Sequence, residues 1–160
     1  MKHVIPFVLV LLAAPAAAGS NPAFETLKSL AGTWTGKAIS GDGPGSDSGV
    51  VFKVIAGGSA VHETMFPGTP HEMVNVYHLD GNDVVVTHYC AGGNQPRMKL
   101  ASSDGKVLDF EFAGGTNIPE TGHYMSAVKL TVSDGKLVEE WASVDAGKPV
   151  GTARFELTRR

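Results

Sequence analysis

After residue 30 the chain breaks repeatedly at small clusters of Gly, Asp, Asn, Ser and Pro, and the runs between them are rich in Val, Thr, Phe, Tyr and Ile. Runs of this kind, bounded by turn residues about every 8–12 positions, are the mark of an all-β sandwich or barrel. Residues 33–40, 50–56, 59–66, 71–79, 84–90, 96–102, 107–113, 122–132, 136–145 and 150–158 predict about ten strands. The connections alternate in kind. One set is tight, at residues 57–58, 80–83, 103–105 and 133–135; the other is longer, at 40–49, 67–70, 91–95, 114–121 and 146–149. In an up-and-down meander successive connections fall at opposite ends, so the pattern predicts an antiparallel barrel with plain turns at one end and a loop-rimmed mouth at the other.

Ahead of the strands, Phe24, Leu27 and Leu30 recur at helical spacing, with Pro22 before them and Gly32 after. Pro at the start and Gly past the end delimit one short helix, which enters the first strand from the tight-turn end and is placed to plug it. Residues 1–18 read differently: a charged start, an apolar run at residues 4–12, and Ala16-Ala17-Ala18. That order is expected of a signal peptide. The run is shorter than the about 20 apolar residues a membrane span needs. The expectation is therefore an exported chain, secreted or periplasmic, with one domain over residues 19–160 and no membrane span after cleavage.

The repeated Ser-Asp-Gly-Lys at Ser103–Lys106 and Ser133–Lys136 fits a three-residue hairpin loop with Gly in the left-handed position. This register groups Met98 and Leu100 with Leu108, Phe110 and Phe112. It also groups Tyr124, Val128, Leu130 and Val132 with Val138, Ala142 and Val144, and turns Lys129, Glu139 and Trp141 to the other face. The apolar sets are expected to point inward. At residues 80–83 two registers are open, and a slip of one residue reverses the face of His88 and Cys90.

Leu-Ala-Gly-Thr-Trp-Thr-Gly at residues 30–36, after a short helix and before a meander, resembles the opening of calycin-type barrels and is similar to nitrobindin-like and lipocalin-like secreted bacterial proteins. Trp34, a large aromatic beside the helix, is expected to seal the barrel floor, and the resemblance implies a pocket for a small, largely apolar molecule. Nitrobindins hold haem through a histidine; residues 136–160 here contain none, and the sequence specifies no cofactor.

The reactive residue types concentrate at residues 84–98, which carry His88, the single cysteine Cys90, Asn94, Gln95, Arg97 and Met98. Of these, Cys90, Asn94, Gln95 and Arg97 fall with His71 and His123 on or beside mouth loops, the pattern of polar groups converging on an apolar pocket. His71, His88, Cys90, Asn94, Arg97, Met98 and His123 are the candidate ligand-binding set. Arg97 at the mouth would clamp the carboxylate of a fatty or aromatic acid. No spacing matches a compact zinc motif, and no metal ligands are assigned. One cysteine forms no internal disulfide. The scattered Lys and Arg and a net charge of −3 give no basic stripe for nucleic acid.

The reading is an exported barrel that binds a small hydrophobic or amphipathic molecule. Two alternatives stand beside it. One is an enzyme using Cys90 with His88 or His123, or using Glu63, a carboxylate on the same face as Val54 and Val61. The other is a structural or interaction barrel filled by its own side chains, which Phe52, Phe110, Phe112 and Tyr124 favour. No nucleophile elbow or phosphate loop supports hydrolysis, and the oligomeric state is not legible.

Overall fold

The computed structural model describes residues 20–39 and 45–160; the expected signal segment and residues 40–44 lie outside the described residues. A helix, α1 (Pro22–Ser29), precedes ten strands: β1 (Gly32–Ile39), β2 (Ser46–Ile55), β3 (Ala60–Met65), β4 (Met73–Asp80), β5 (Asp83–Tyr89), β6 (Gln95–Ser103), β7 (Val107–Thr116), β8 (His123–Ser133), β9 (Lys136–Asp145) and β10 (Lys148–Arg159). Each strand pairs antiparallel with its sequence neighbours, and β1 pairs with both β2 and β10, so the sheet closes. This is the up-and-down barrel that the turn pattern predicts.

Helix α1 starts where the side chain of Asn21 accepts hydrogen bonds from the backbone N–H groups of Ala23 and Phe24, at 3.1 and 3.2 Å, with Pro22 supplying the fixed φ of a first turn. Its inner face, Phe24 and Leu27, is buried in the barrel core together with Leu30. Polar contacts fix the helix on the tight turns: Asn21 Nδ2 donates to the carbonyl of Asn82 at 3.1 Å, and Thr26 Oγ1 to that of Gly105 at 3.4 Å. The plugged end is therefore the tight-turn end. Trp34 completes the floor, fully buried, its Nε1 donating to the Leu30 carbonyl at 2.8 Å. Gly36, the last residue of the Gly-Thr-Trp-Thr-Gly run, faces β10 so closely that a Cβ there would run into the Glu156 carbonyl.

Two registers settle which side chains enter the barrel. Asp80 opposes Asp83, so Gly81-Asn82 is a two-residue turn, and Val84, Val86 and His88 point inward, with His88 opposite Asn75 and Val86 opposite Tyr77. At the second Ser-Asp-Gly-Lys, Ser133 opposes Lys136 and Val132 opposes Leu137. Only Asp134 and Gly135 remain in the turn, one residue fewer than the three-residue loop expected, and every side chain of β9 changes face. Leu137, Glu139 and Trp141 are buried inside; Val138, Ala142 and Val144 lie outward, reversing the expectation. The first copy keeps the expected faces. Met98 opposes Phe112 and Leu100 opposes Phe110, because an irregularity between Leu100 and Ser102 absorbs the difference before Ser103 meets Leu108.

Strand boundaries shift elsewhere too, as where Lys148 and Pro149, expected in a loop, begin β10. Ser46 to Gly49, expected in a loop, pair with Ala38 to Thr35 and begin β2. Gly114 and Gly115, also expected in a loop, extend β7. From the floor to the level of Trp141 the interior is filled by one cluster that includes Trp34, Phe52, Met65, Tyr77, Met98, Leu108, Phe110 and Leu130, all at or below 2 % exposure.

Candidate functional site

Inside this apolar cluster lies a polar group that the barrel closes over. Register brings it together: Phe52 opposes Glu63, Glu63 opposes Asn75 and Asn75 opposes His88, while Glu139 and Trp141 arrive from β9. Glu63, Asn75, His88 and Glu139 are 0–1 % exposed. Burying such groups is costly unless each is hydrogen-bonded. Here the bonds run in sequence. Glu63 Oε2 accepts from Asn75 Nδ2 at 2.9 Å and from the Tyr77 hydroxyl at 2.8 Å. Glu139 Oε2 accepts from Trp141 Nε1 at 3.1 Å. The two carboxyls also act on each other's protonation. Their Oε1 atoms are buried and have no hydrogen-bond partner among the described residues.

Desolvation dominates the electrostatics. It pushes the Glu63 carboxyl up to about 7 against the lowering effect of Tyr77, Asn75 and Glu139, and it raises Glu139 well above the usual carboxylate range, with the negative charge of Glu63 adding to the shift. Two carboxyls in one dry site do not both ionise readily. The donors are unequally shared: Glu63 receives Asn75 and Tyr77, so it is the better carboxylate, and Glu139 holds the common proton. Tyr77 stays a phenol, its pKa raised well above normal by burial and by both glutamates.

The same chain of bonds fixes the state of His88. Asn75 spends its amide N–H on Glu63, so the atom facing the imidazole is its Oδ1, 2.6 Å from His88 Nδ1. An acceptor there requires hydrogen on Nδ1. Burial lowers the His88 pKa to about 4, which keeps the ring neutral near pH 7 and leaves Nε2 bare. That nitrogen is buried and has no hydrogen-bond partner among the described residues. The ring lies against Trp141, with centroids 5.0 Å apart and planes at 44°.

Trp141 also lines a cavity of about 520 Å³ at the mouth, together with His123, Met125, Ser143, Gly151 and Ala153. Ala153 opposes Trp141 and Gly151 opposes Ser143, which puts these four on the inner face of β9 and β10; Val150 and Thr152, next to the register shift between Pro149 and Gly151, also line the cavity. A register shift between Met125 and Ala127 sets Met125 opposite Ser143 on the same side. A second cleft of about 570 Å³ lies by β1 and β2 under residues 66–69, lined by Lys37, Asp47 and Ser48 among others, and does not include the buried carboxyls.

The expected site residues separate into groups. His123 lines the mouth cavity. Asn94 is buried and holds the mouth loop in place, its Nδ2 donating to the His123 carbonyl at 3.0 Å. Cys90 is a half-buried free thiol at the base of that loop, its Sγ accepting from the Gly92 N–H at 3.4 Å. His88 and Met98 point into the core. His71 sits exposed on the loop between β3 and β4. Arg97 does not face the mouth. It opposes Thr87 on the outer wall, where its Nη2 meets Asp80 Oδ2 at 2.6 Å. Among the described residues, no three His, Cys, Asp or Glu side chains gather as a metal site would require.

Sequence reasoning picked out Glu63 and His88 but missed Asn75, Tyr77, Glu139 and Trp141 as members of one group. The available signal was alternation itself. Asn75 and Tyr77 stand two apart on one strand, Glu139 and Trp141 two apart on another, each pair interrupting an apolar face. The chain matches no protein-family model and no curated protein. What fold and site define is a closed ten-stranded antiparallel barrel, helix-plugged below, with a mouth cavity above a buried polar network.

Proposed function

We propose that this chain is an exported, calycin-like barrel that binds a small hydrophobic or amphipathic molecule at its mouth. The observation that carries the reading is the cavity of about 520 Å³ along β8, β9 and β10, whose apolar walls, Trp141, Met125 and Ala153, are joined by a few polar groups, His123, Ser143 and Thr152. Concave, mostly apolar sites of about 300–1,000 Å³ with a small number of placed polar groups are the usual form of a small-molecule site. The helix-plugged floor and the Gly-Thr-Trp opening support the calycin-like part of the reading, and the N-terminal residue pattern supports export.

A competing reading is a structural barrel with no ligand, favoured by the filled lower interior. Titration of residues 20–160 with the neutral fluorophore N-phenyl-1-naphthylamine decides between them. Binding is expected to raise the probe's emission and quench Trp141, and Ala153→Phe, which fills the cavity, is expected to abolish both at unchanged melting temperature. Equal response in wild type and Ala153→Phe, or no response at all, rejects the mouth site.

A further inference from the structure

We infer that His88 Nε2 is the deep acceptor of the mouth site, reached past Trp141, and that the molecule bound there is neutral, largely apolar and carries a hydroxyl or N–H donor. The inference rests on the mouth-cavity reading and narrows it to a ligand class.

Three observations converge. The first is the unpartnered nitrogen. His88 is 1 % exposed and every other polar contact of its ring is fixed: Nδ1–H is committed to Asn75 Oδ1 at 2.6 Å, and Asn75 is itself held by Glu63 at 2.9 Å. The ring cannot turn to satisfy Nε2 without giving up the Asn75 bond, so the nitrogen is presented as a bare acceptor of set direction. A buried polar atom left without a partner is uncommon in a folded protein and marks a site where something else supplies the bond.

The second is position. Trp141 touches both spaces: it lines the mouth cavity, and its ring is 5.0 Å from that of His88. One hydrogen bond, from Nε1 to Glu139 Oε2 at 3.1 Å, orients the indole. Reaching Nε2 from the cavity requires the indole to move aside at the cost of this bond, and the new bond from a ligand donor to Nε2 offsets that cost.

The third is charge. His123 is the one titratable side chain that lines the cavity. Several wall cations are engaged outside, Arg97 with Asp80, Lys99 with Asp83, Lys37 with Asp47, and Arg154 with Glu140 and Glu156, and Lys148, exposed at the start of β10, is not among the residues lining the cavity. Behind His88 stands an acid pair, Glu63 and Glu139, not a base. An anionic ligand would find no Lys or Arg among the residues lining the cavity and would approach buried carboxyls, whereas a hydroxyl finds an acceptor. A cationic ligand would leave its charge in an apolar cavity without a contacting carboxylate.

The test uses three molecules of one shape, 4-phenylphenol, biphenyl and biphenyl-4-carboxylate, titrated calorimetrically into residues 20–160. The phenol is expected to bind about tenfold more tightly than biphenyl, the factor one added buried hydrogen bond supplies, and the carboxylate most weakly. In the same sample the ¹⁵N resonance of His88 Nε2 is expected to move on adding the phenol and to stay in place with biphenyl. His88→Phe is expected to bind phenol and biphenyl within about twofold of each other, with biphenyl bound as in wild type. Equal binding of phenol and biphenyl, an unmoved Nε2 resonance, or a preference retained in His88→Phe overturns the acceptor role and leaves the mouth cavity standing. Failure of all three molecules to bind removes the cavity reading and this one with it.

Discussion

The carboxyls of Glu63 and Glu139, on the non-adjacent strands β3 and β9, act on each other's protonation with neither exposed to solvent. Their raised pKa values make stability depend on pH. An unfolded glutamate gives up its proton near 4.5, whereas Glu63 in the barrel holds it to about 7. Between these values the unfolded state binds fewer protons than the folded one, so the contribution is complete below about 4.5 and is lost as pH rises through 7. His88 has the opposite sign: its pKa falls from 6.5 to about 4, so stability is lost as pH falls through that window. The two oppose each other in mildly acid solution, and above about pH 6.5 the acid pair acts alone. Melting temperature, followed by circular dichroism, is expected to decline as pH rises above about 6.5 through the Glu63 value of about 7, with Glu139, also raised, adding to the loss. Glu139→Gln keeps a donor toward Glu63 and an acceptor for Trp141 while removing one ionisable group, and should flatten the decline. An unchanged slope in that variant would show that the pair does not share its proton.

Asn75 is the hinge of the polar network, since it donates to Glu63 and accepts from His88. Asn75→Ala leaves the Nδ1–H of His88 without its acceptor and removes one donor from Glu63. Each buried group so stranded costs about 1–3 kcal/mol, and a total loss of about 2–5 kcal/mol is expected in urea unfolding. A loss under about 0.5 kcal/mol, the size typical of a surface substitution, would mean the network does not hold the barrel together. Asn75→Asp is a sharper variant, because a carboxylate beside Glu63 adds a third acid to the site and should raise sensitivity to alkaline pH further.

The barrel was legible because turn chemistry and strand composition repeat without interruption, and the alternation of plain and elaborate connections located the mouth and the plug. The polar network was not, and the reason is local. The second Ser-Asp-Gly-Lys closes in two residues while the first reaches its expected faces through a strand irregularity, so identical tetrapeptides give different registers. A one-residue difference moved Glu139 and Trp141 from the outer wall into the core. The net burial of β9 decides this: Leu137, Glu139 and Trp141 inside place the large indole in the core, which outweighs burying one carboxyl that has a partner to share its proton. Arg97 was misplaced for a related reason. Its neighbours in sequence are mouth residues, but strand alternation puts it beside Met98 on the opposite face.

Arg97→Ala therefore carries a different expectation from the carboxylate clamp. The Arg97–Asp80 pair is on the outer wall, with side chains 39 % and 66 % exposed. Ion pairs of this kind contribute about 0–1 kcal/mol and weaken with salt. The variant should bind N-phenyl-1-naphthylamine as wild type does and lose no more than about 1 kcal/mol of stability. Weakened probe binding would return Arg97 to the site.

Arg159 tests how the closed end is held. At the end of β10 its guanidinium donates from Nη1 to the Ala31 carbonyl at 2.7 Å and from Nη2 to the Ser29 carbonyl at 2.8 Å, and the group lies over Trp34 at 4.3 Å from the ring centroid. The last strand is thus tied to the carbonyls at the C-terminal end of α1, where a positive charge also meets the negative end of the helix dipole. Lysine has one nitrogen and cannot span both carbonyls while stacking flat on an indole. Arg159→Lys is expected to lose about 1–2 kcal/mol, and Arg159→Ala about 2–3 kcal/mol, from two charge-assisted hydrogen bonds and a cation–π contact. Hydrogen exchange supplies the check that stability alone does not. Backbone amides of α1 and of Arg160, whose N–H donates to the Thr33 carbonyl at 2.9 Å, should exchange faster in both variants, while amides of β5 and β6 at the far wall keep their protection. Uniformly faster exchange throughout the barrel would show instead that the plug and the sheet open as one unit, and that Arg159 acts on the whole fold.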